Sequence, residues 1–197
     1  MIRAWTAAAA LMVSTTAMAD GPMGVGSLQI GMTKAEVEAL TEGAVRLAAP
    51  LAPDADGTKL PDGMERFDMS LQTPWSETPL DGGVTFTNGA ASEVFINLDE
   101  SEARMKRIGQ QISEKFGAGD YDDSRRKEYC RTYGGGSEEV LSGFVTHSWV
   151  KIAGGSEITT RLTSMTMDSC LKRERGDGAS YFVSMSVSVK AAAQNPF

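Results

Sequence analysis

Polar and apolar residues alternate most regularly near the end of the chain. Between 181 and 189 the apolar positions are Tyr181, Val183, Met185, Val187 and Val189, and the polar positions between them are Ser184, Ser186 and Ser188. Because successive side chains of a strand point to opposite faces, this pattern predicts a strand with one buried and one solvated face. Phe67, Met69 and Leu71 alternate in the same way and predict a second strand.

Two stretches predict helices instead of strands. Thr33 and Glu36 have the spacing of a capping box, in which each side chain bonds the backbone N–H of the other residue. The helix that follows is expected to bury Val37 and Leu40 and to end near Gly43. A longer amphipathic helix is expected after a second capping signature, with an apolar stripe that ends before a glycine. Its residues are Asp99, Glu102, Met105, Ile108, Ile112, Phe116 and Gly117.

Two glycine-containing dipeptides predict the turns of two hairpins. Asn88-Gly89 separates apolar runs at 84–87 and 93–98 and predicts a tight turn with positive φ at both residues. Gly154-Gly155 predicts a turn between strands at 144–152 and 157–166. The apolar phase changes between Leu162 and Met165, which suggests a β-bulge there. The stretch 44–63 reads as a loop with a short strand near 44–48, and 120–136 is left without an assignment.

The order of these elements is helix, three strands, helix, three strands. It predicts an α+β fold in which helices pack on one face of an antiparallel sheet. The order also allows a duplicated α-βββ unit, with a first half at 20–98 and a second half at 99–197. The alternative is that the two halves form one domain.

The first nineteen residues have the layout of a cleavable export signal. Arg3 precedes an apolar run at 4–13, and Ala17-Met18-Ala19 forms a small-x-small cleavage site before Asp20. We therefore expect a signal peptide at 1–19 and a periplasmic or secreted protein after cleavage. Asp20 is not a lipidated cysteine, so we expect no membrane anchor.

The charge balance narrows the classes of partner. The chain has 19 Lys and Arg against 26 Asp and Glu, a net charge of -7. Such a charge argues against binding to nucleic acid or to anionic lipid. Two local basic clusters, at 125–127 and 172–175, are read as solvated loops in preference to anion sites.

Cys130 and Cys170 are the two cysteines of the chain. An even number of cysteines in an exported protein usually indicates a disulfide, and here one pairing exists. A redox-active pair favours C-x-x-C, which is absent. The sequence therefore predicts a structural Cys130–Cys170 bridge.

The segment 28–37, which reads Leu-Gln-Ile-Gly-Met-Thr-Lys-Ala-Glu-Val, resembles the opening of the BamE (SmpA/OmlA) group of periplasmic proteins. In that group a similar Gly-Met-Thr/Ser-x-x-Glu-Val start caps the first helix, and a small antiparallel sheet follows. The paired order of elements also resembles the β-lactamase-inhibitor-protein architecture. These resemblances imply a fold; a role in the outer-membrane assembly machine is not implied, because the lipidated cysteine of BamE is missing.

Residues with the potential for chemistry are few. His147 is the only histidine, which excludes a multi-histidine metal site, and it is read as a satisfied or surface residue in preference to a catalytic one. Asp54 and Asp56 hint at a calcium loop, but Ala52 and Gly63 occupy decisive ligand positions of that motif. We assign no metal, no cofactor and no catalytic residue.

Two further features, a short motif and a tryptophan, each have an alternative interpretation. Ser169 and Lys172 fit S-x-x-K, but no K-T-G follows, and we attribute the match to chance. Trp75 lies in a proline-flanked loop and is a candidate interaction residue, because exposed tryptophan is a favoured interface anchor. The alternative is that Trp75 folds back over the edge of the sheet.

These observations favour a soluble, non-enzymatic periplasmic protein that acts as an envelope interaction or binding module. Its partner is expected to be another envelope or secreted protein. Two alternatives stay open. One is a small secreted hydrolase-like enzyme that uses carboxylates or His147, and the other is a soluble inhibitor of a secreted enzyme.

Overall fold

Antiparallel strands make up most of the structure. The computed structural model describes residues 23–41, 45–53, 59–98, 102–132 and 134–191. Within them the strands are β1 (Gly24–Val25), β2 (Leu28–Gln29), β3 (Arg46–Leu47), β4 (Ala52–Pro53), β5 (Met64–Gln72), β6 (Leu80–Thr87), β7 (Ala90–Leu98), β8 (Asp120–Asp123), β9 (Arg126–Arg131), β10 (Ser137–Ala153), β11 (Ser156–Met167) and β12 (Ser180–Ala191). The helices are α1 (Lys34–Glu38), α2 (Glu102–Phe116) and α3 (Cys170–Glu174).

The expected α+β class with its duplicated α-βββ unit is wrong, because the chain is mostly β. One large antiparallel sheet of ten strands dominates, and α1 and α3 have only five residues each. The prediction missed the extent of the sheet because β10 runs for 17 residues, beginning in a glycine-rich polar stretch, and because β8 and β9 lack apolar alternation.

The sheet follows the order β3-β5-β6-β7-β12-β11-β10-β8, with β4 paired to β5 and β9 paired to β10. The last strand, β12, inserts between β7 and β11. The expected boundary near residue 98 lies between β7 and α2, and the sheet continues across it through the β7–β12 pairing. The division into two halves stays a prediction.

One face of the sheet carries the hydrophobic core. Its central strands contribute Val94, Ile96 and Leu98 from β7, Leu162 from β11, and Val183, Met185 and Val187 from β12. Met105, Ile108 and Ile112 of α2 belong to the same core, which confirms the predicted apolar stripe. The indole N–H of Trp149 donates to the carbonyl of Gly117 at 2.9 Å and fixes the end of α2 against β10. The core also includes Val25 and Leu28 of the β1–β2 hairpin.

The other face of the sheet, here called the open face, presents polar residues and three aromatic rings. On β7, β10, β11 and β12 it includes Phe95, Asn97, Phe144, Arg161, Thr163, Met165, Phe182, Ser184 and Ser186. Phe95, Phe144 and Phe182 are 38, 46 and 46 % exposed. The alternation of β12 therefore confirms a strand with one buried face and one accessible face.

The first helix forms as its cap predicts but is shorter than expected. The Thr33 N–H donates to the Glu36 carboxylate at 2.8 Å, and the Glu36 N–H donates to the Thr33 hydroxyl at 3.3 Å. The helix ends at Glu38, with Ala39 as its C-cap, well before Gly43. Val37 is fully buried and Leu40 is half-buried. So short a helix is held by its cap and by packing.

The Asn88-Gly89 hairpin is confirmed, with φ of 52° and 81° at the two turn residues. The β-bulge is not where the sequence suggested. The register is continuous from Leu162 to Met165, and the irregularity falls between Thr85 and Phe86 instead. The phase change at 162–165 arises because polar Ser164 points to the core side, whereas Met165 points to the open face.

Cys130 of β9 and Cys170 at the start of α3 are joined by a disulfide, with their Cα atoms 5.1 Å apart. The bridge spans a sequence separation of 40 residues. Cys130 is buried, and β9 pairs along its length with β10. The disulfide therefore fastens the short helix α3 to the outer part of the sheet.

The signal at 1–19 and the Asp54 and Asp56 turn lie outside the described residues. Among the residues that are described, no helix has the length and apolar character needed to span a membrane.

Replacing both cysteines by alanine is expected to lower the free energy of unfolding by about 3–4 kcal/mol, because the loop that the bridge closes gains entropy in the unfolded chain. Urea titration followed by circular dichroism measures this loss. Alkylation of the unreduced wild-type protein serves as the control and should label no thiol. An unchanged urea midpoint in the double variant would contradict the expectation.

Candidate functional site

A cavity of about 760 Å³ lies between α2 and the ends of β10, β11 and β12; we call it the α2 cavity. The helix contributes Met105, Lys106, Gly109, Gln110 and Ser113 to its wall. The sheet contributes Tyr121, Leu141, Val145, His147, Ser164, Thr166, Tyr181 and Val183. Arg125, Glu139, Asp168 and Arg173 complete the lining. Its volume is in the range of small-molecule sites.

The polar side of the α2 cavity depends on α3. Ser169 caps this helix by accepting from the N–H of Lys172 at 3.2 Å. The cap and the disulfide position Arg173, whose Nη2 and Nε donate to the Asp168 carboxylate at 2.7 and 3.0 Å. Asp168 is buried, and its N–H donates to the Ser142 hydroxyl.

Arg173 is the main reason that the pKa of Asp168 is below its ordinary value, since the guanidinium stabilises the carboxylate and outweighs the cost of burial. The paired state also holds the pKa of Arg173 above its ordinary value. This ion pair therefore anchors α3 at the end of β11 at neutral pH.

His147 lines the α2 cavity and faces the core side of β10. Its ring lies 4.9 Å from the ring of Tyr121 in an edge contact and 6.2 Å from that of Trp149 in a stacked contact. The imidazole makes no hydrogen bond to any residue in the described part of the chain. The alternation that placed His147 on the same face as Val145 and Trp149 is confirmed.

The open face carries a second cluster. Phe144 on β10 pairs directly with Met165 on β11, and Met165 pairs with Phe182 on β12. Together with Phe95 these residues line a depression of about 480 Å³, here called the aromatic depression. Such cross-strand neighbours present one continuous apolar row on a rigid support.

A second depression of about 630 Å³, here called the acidic depression, adjoins the first and shares Phe95 and Asn97 with it. Its charged lining consists of Arg66, Asp68, Asp81 and Glu93. Within the described residues, Asp81 and Glu93 form neither a hydrogen bond nor an ion pair through their side chains. The open face therefore combines an apolar row with two uncompensated carboxylates.

The predicted interaction residue Trp75 is not part of either surface. It is half-buried and packs against the core, and it lines a smaller cavity together with Ile108, Ile112 and Phe116 of α2. Its N–H donates to the Thr73 hydroxyl at 3.3 Å. A role for Trp75 in recognition stays a prediction.

The S-x-x-K match has a structural use. Ser169 is the cap of α3, and Lys172 Nζ donates to the Met167 carbonyl and to the Ser180 hydroxyl at 3.2 and 2.9 Å. The lysine and the serine side chains therefore serve different partners. No group of three or more potential metal ligands occurs within the described ranges.

Three residues of the two basic clusters pair with neighbouring carboxylates: Arg125, Lys127 and Arg173. Arg125 pairs with Asp123 at 2.6 Å, and Lys127 pairs with Glu139 at 2.9 Å. The pKa of Asp123 is held well below its ordinary value, chiefly by its hydrogen bond from the Arg125 side chain. These clusters stabilise the outer strands.

Sequence reasoning missed Phe95, Phe144, Phe182, Ser164 and Thr166. The signal was present in the alternation of β11, where Ser164 and Thr166 occupy core-side positions and Met165 occupies an outward position. Here the core side of a regular strand carries polar residues and its outward side carries an apolar residue. Such a segment contributes to a candidate site on each face of the sheet.

Comparisons with protein-family models, with curated proteins and with solved structures gave no match for this chain. The resemblance of 28–37 to the BamE group therefore stays a prediction.

Asp168→Asn is expected to lower the free energy of unfolding at pH 7 by about 2 kcal/mol, because it removes charge-assisted hydrogen bonds from Arg173. Since the folded pKa of Asp168 is lowered, its stabilisation is present above the ordinary value of about 3.9 and is lost as the pH falls below it. The difference between wild type and variant should therefore shrink between pH 5 and pH 3, measured by urea unfolding.

Asp122→Asn is the matched control for this experiment, because Asp122 is exposed and has no ionic partner among the described residues. Its effect on the free energy of unfolding should stay within about 0.5 kcal/mol. A difference between wild type and Asp168→Asn that is equal at pH 7 and pH 3 would show that the ion pair does not have the assigned role.

Proposed function

We propose that this protein is an exported, non-enzymatic binding module that holds another envelope or secreted protein against the open face of its sheet. The row formed by Phe144, Met165 and Phe182 is the observation that carries the proposal. Three large apolar side chains lie side by side on neighbouring strands, and the two phenylalanines are close to half-exposed. Contiguous apolar surface of this kind commonly marks a protein-binding site.

The composition of the open face agrees with that of a protein interface. The centre of an interface is poor in charge and rich in aromatic residues, methionine and arginine. Here Arg161 lies on the same face four residues before Met165 on β11 and opposite Ser186, which in turn lies opposite Phe95. Serine and threonine side chains occupy the open-face positions between these larger residues. Such short side chains lose little conformational entropy when a partner covers them.

The acidic depression indicates the chemistry of the partner. Asp81 and Glu93 line this depression together with Phe95 and have no ionic partners among the described residues, so a lysine or arginine of the partner can pair with either carboxylate. The partner should therefore present an apolar side chain for the aromatic depression and a basic side chain next to it. Complementary charge of this kind also speeds association.

Replacing Phe144 and Phe182 by serine, singly, is expected to weaken partner binding at least about tenfold for each change, because central aromatic anchors contribute about 2 kcal/mol or more. The partner is first captured by crosslinking in an extract of the secreting cell and mapped to the open face by hydrogen exchange. Titration of the purified complex then gives the dissociation constants.

Leu171→Ser is the matched control for the aromatic changes, because Leu171 is an exposed apolar residue on α3 and lies off the open face. It should leave the dissociation constant unchanged. Hydrogen-exchange protection that maps to α3 or to β9 and not to the open face would refute the proposed surface.

Export is expected to produce a mature chain that begins at Asp20, because Ala17 and Ala19 satisfy the requirement for small residues before the cleaved bond. N-terminal sequencing of the protein from the envelope or medium fraction tests this. Recovery of the chain with Met1 intact in the cytosol alone would contradict the expected location.

A further inference from the structure

The α2 cavity is a candidate site of a second kind, because it lies on the core side of the sheet, and of its lining residues only Val183 also lines a depression of the open face. Its apolar wall comes from Met105, Leu141, Val145 and Val183. Ser164, Thr166 and the rings of His147 and Tyr121 line the same space. A cavity with an apolar body and a few converging polar groups has the general form of a small-molecule site.

Small residues on the helix and on the sheet leave the α2 cavity unfilled. Gly109 of α2 faces the sheet, and a Cβ at this position would lie 3.4 Å from Leu162. Gly143 of β10, which is paired with Thr166, does not open the space, because a Cβ there would lie 2.9 Å from the backbone of Ser124 and Arg125. In the next row the small Ser164 lies between Val145 and Val183. A larger apolar residue at position 164 would fill part of the cavity and extend the core.

The hydroxyls of Ser164 and Thr166 are the decisive observation. These residues are 8 and 6 % exposed, and neither side chain has a hydrogen-bond partner in the described part of the chain. The structure describes five other buried polar residues, and each of them has a partner: Thr73, Thr85, Thr159, Thr160 and Asp168. The two unpartnered groups are adjacent on one face of β11 and line the same cavity.

Unpartnered buried hydroxyls destabilise a fold, typically by about 1–3 kcal/mol each relative to satisfied ones. A cavity that is polar on one side and large enough for water allows solvent to satisfy them. A ligand that supplies hydrogen-bonding groups at the same positions displaces this solvent and keeps the hydroxyls paired. Ser164 and Thr166 therefore form a built pair of polar contacts at the bottom of the cavity.

The charges around the cavity indicate that the ligand is uncharged. Arg173 is paired with Asp168, and its Nη1 also lies 3.5 Å from the carboxylate oxygen Oε1 of Glu138. Arg125 is paired with Asp123, and Glu139 accepts from Lys127 and Tyr129. Each of these charges already has a partner of opposite sign, and Lys106, the other charged residue of the lining, also has a partner. A charged ligand therefore gains little from them and loses its hydration.

We propose that the α2 cavity binds an uncharged amphipathic small molecule. One end of the ligand carries hydroxyl or carbonyl groups that pair with Ser164 and Thr166. Its body is a ring or a short aliphatic group that packs against Met105, Val145 and Val183. This site is independent of the partner surface on the open face, and its test does not depend on that proposal.

Fragments of equal size and different charge test the proposal. Benzyl alcohol, benzoate and benzylamine are titrated into the isotope-labelled protein with its disulfide intact, and amide shifts are recorded by NMR. Benzyl alcohol should shift the amides of Ser164 and Thr166 and should bind at least about tenfold more tightly than either charged analogue. Absence of shifts at these amides, or tighter binding of benzoate, would overturn the proposal.

Thr166→Val removes the hydroxyl while keeping the shape of the side chain. It should weaken binding of benzyl alcohol about three- to tenfold, the effect of one lost hydrogen bond, and should leave binding of toluene unchanged. Its thermal midpoint should be equal to or above that of the wild type, because the hydroxyl that it removes has no protein partner. A clear fall in the midpoint would show that Thr166 is satisfied within the fold and would contradict the premise.

Thr159→Val is the matched control. Thr159 lies on the same strand, is buried to a similar degree and points to the opposite face, where its hydroxyl pairs with Glu157 at 3.4 Å. This change should not alter binding of benzyl alcohol. An equal loss of binding in Thr159→Val and Thr166→Val would mean that the effect is not local to the α2 cavity, and it would count against the proposal.

Discussion

The antiparallel pairing of β7 with β12 is the interaction on which the rest of the structure depends. It joins strands from distant parts of the chain, and without it the sheet would divide into two smaller sheets with additional exposed edges. Three buried cross-strand pairs hold the register: Val94 with Val187, Ile96 with Met185, and Leu98 with Val183. A shift by one residue would turn these side chains to solvent, so the hydrophobic pattern fixes the register.

A fixed register determines what each face of the sheet presents. The core-side residues of β7 and β12 must be apolar, and α2 lies against them. The outward residues of the same strands are not constrained to be apolar. They include Phe182 and several serines on β12, and Phe95 and Asn97 on β7. The open face is therefore a direct consequence of the pairing. It is a rigid surface, and its side chains contribute to recognition with little cost of ordering.

The parts of the fold that the sequence predicted are those with strong local signals. The capping box at Thr33, the apolar stripe of α2, the Asn88-Gly89 turn and the alternation of β12 each depend on neighbouring residues, and each was found. The strands β8 and β9 were missed because their residues are mainly polar and exposed. They are held by pairing with β10, by ion pairs such as Lys127–Glu139 and by the Cys130–Cys170 bridge. These contacts are distant in sequence, so no local pattern reveals them.

The error about a bulge near Leu162 has a different cause and is more informative. The sequence rule assumes that core-side positions are apolar, and at Ser164 and Thr166 they are not. The strand stays regular, and the inversion places two hydroxyls in the α2 cavity and Met165 in the aromatic row on the opposite face. Sequence reasoning detected the irregularity but assigned it to the backbone, whereas the structure assigns it to the side chains. A short segment of β11 therefore separates two candidate sites by the thickness of one strand.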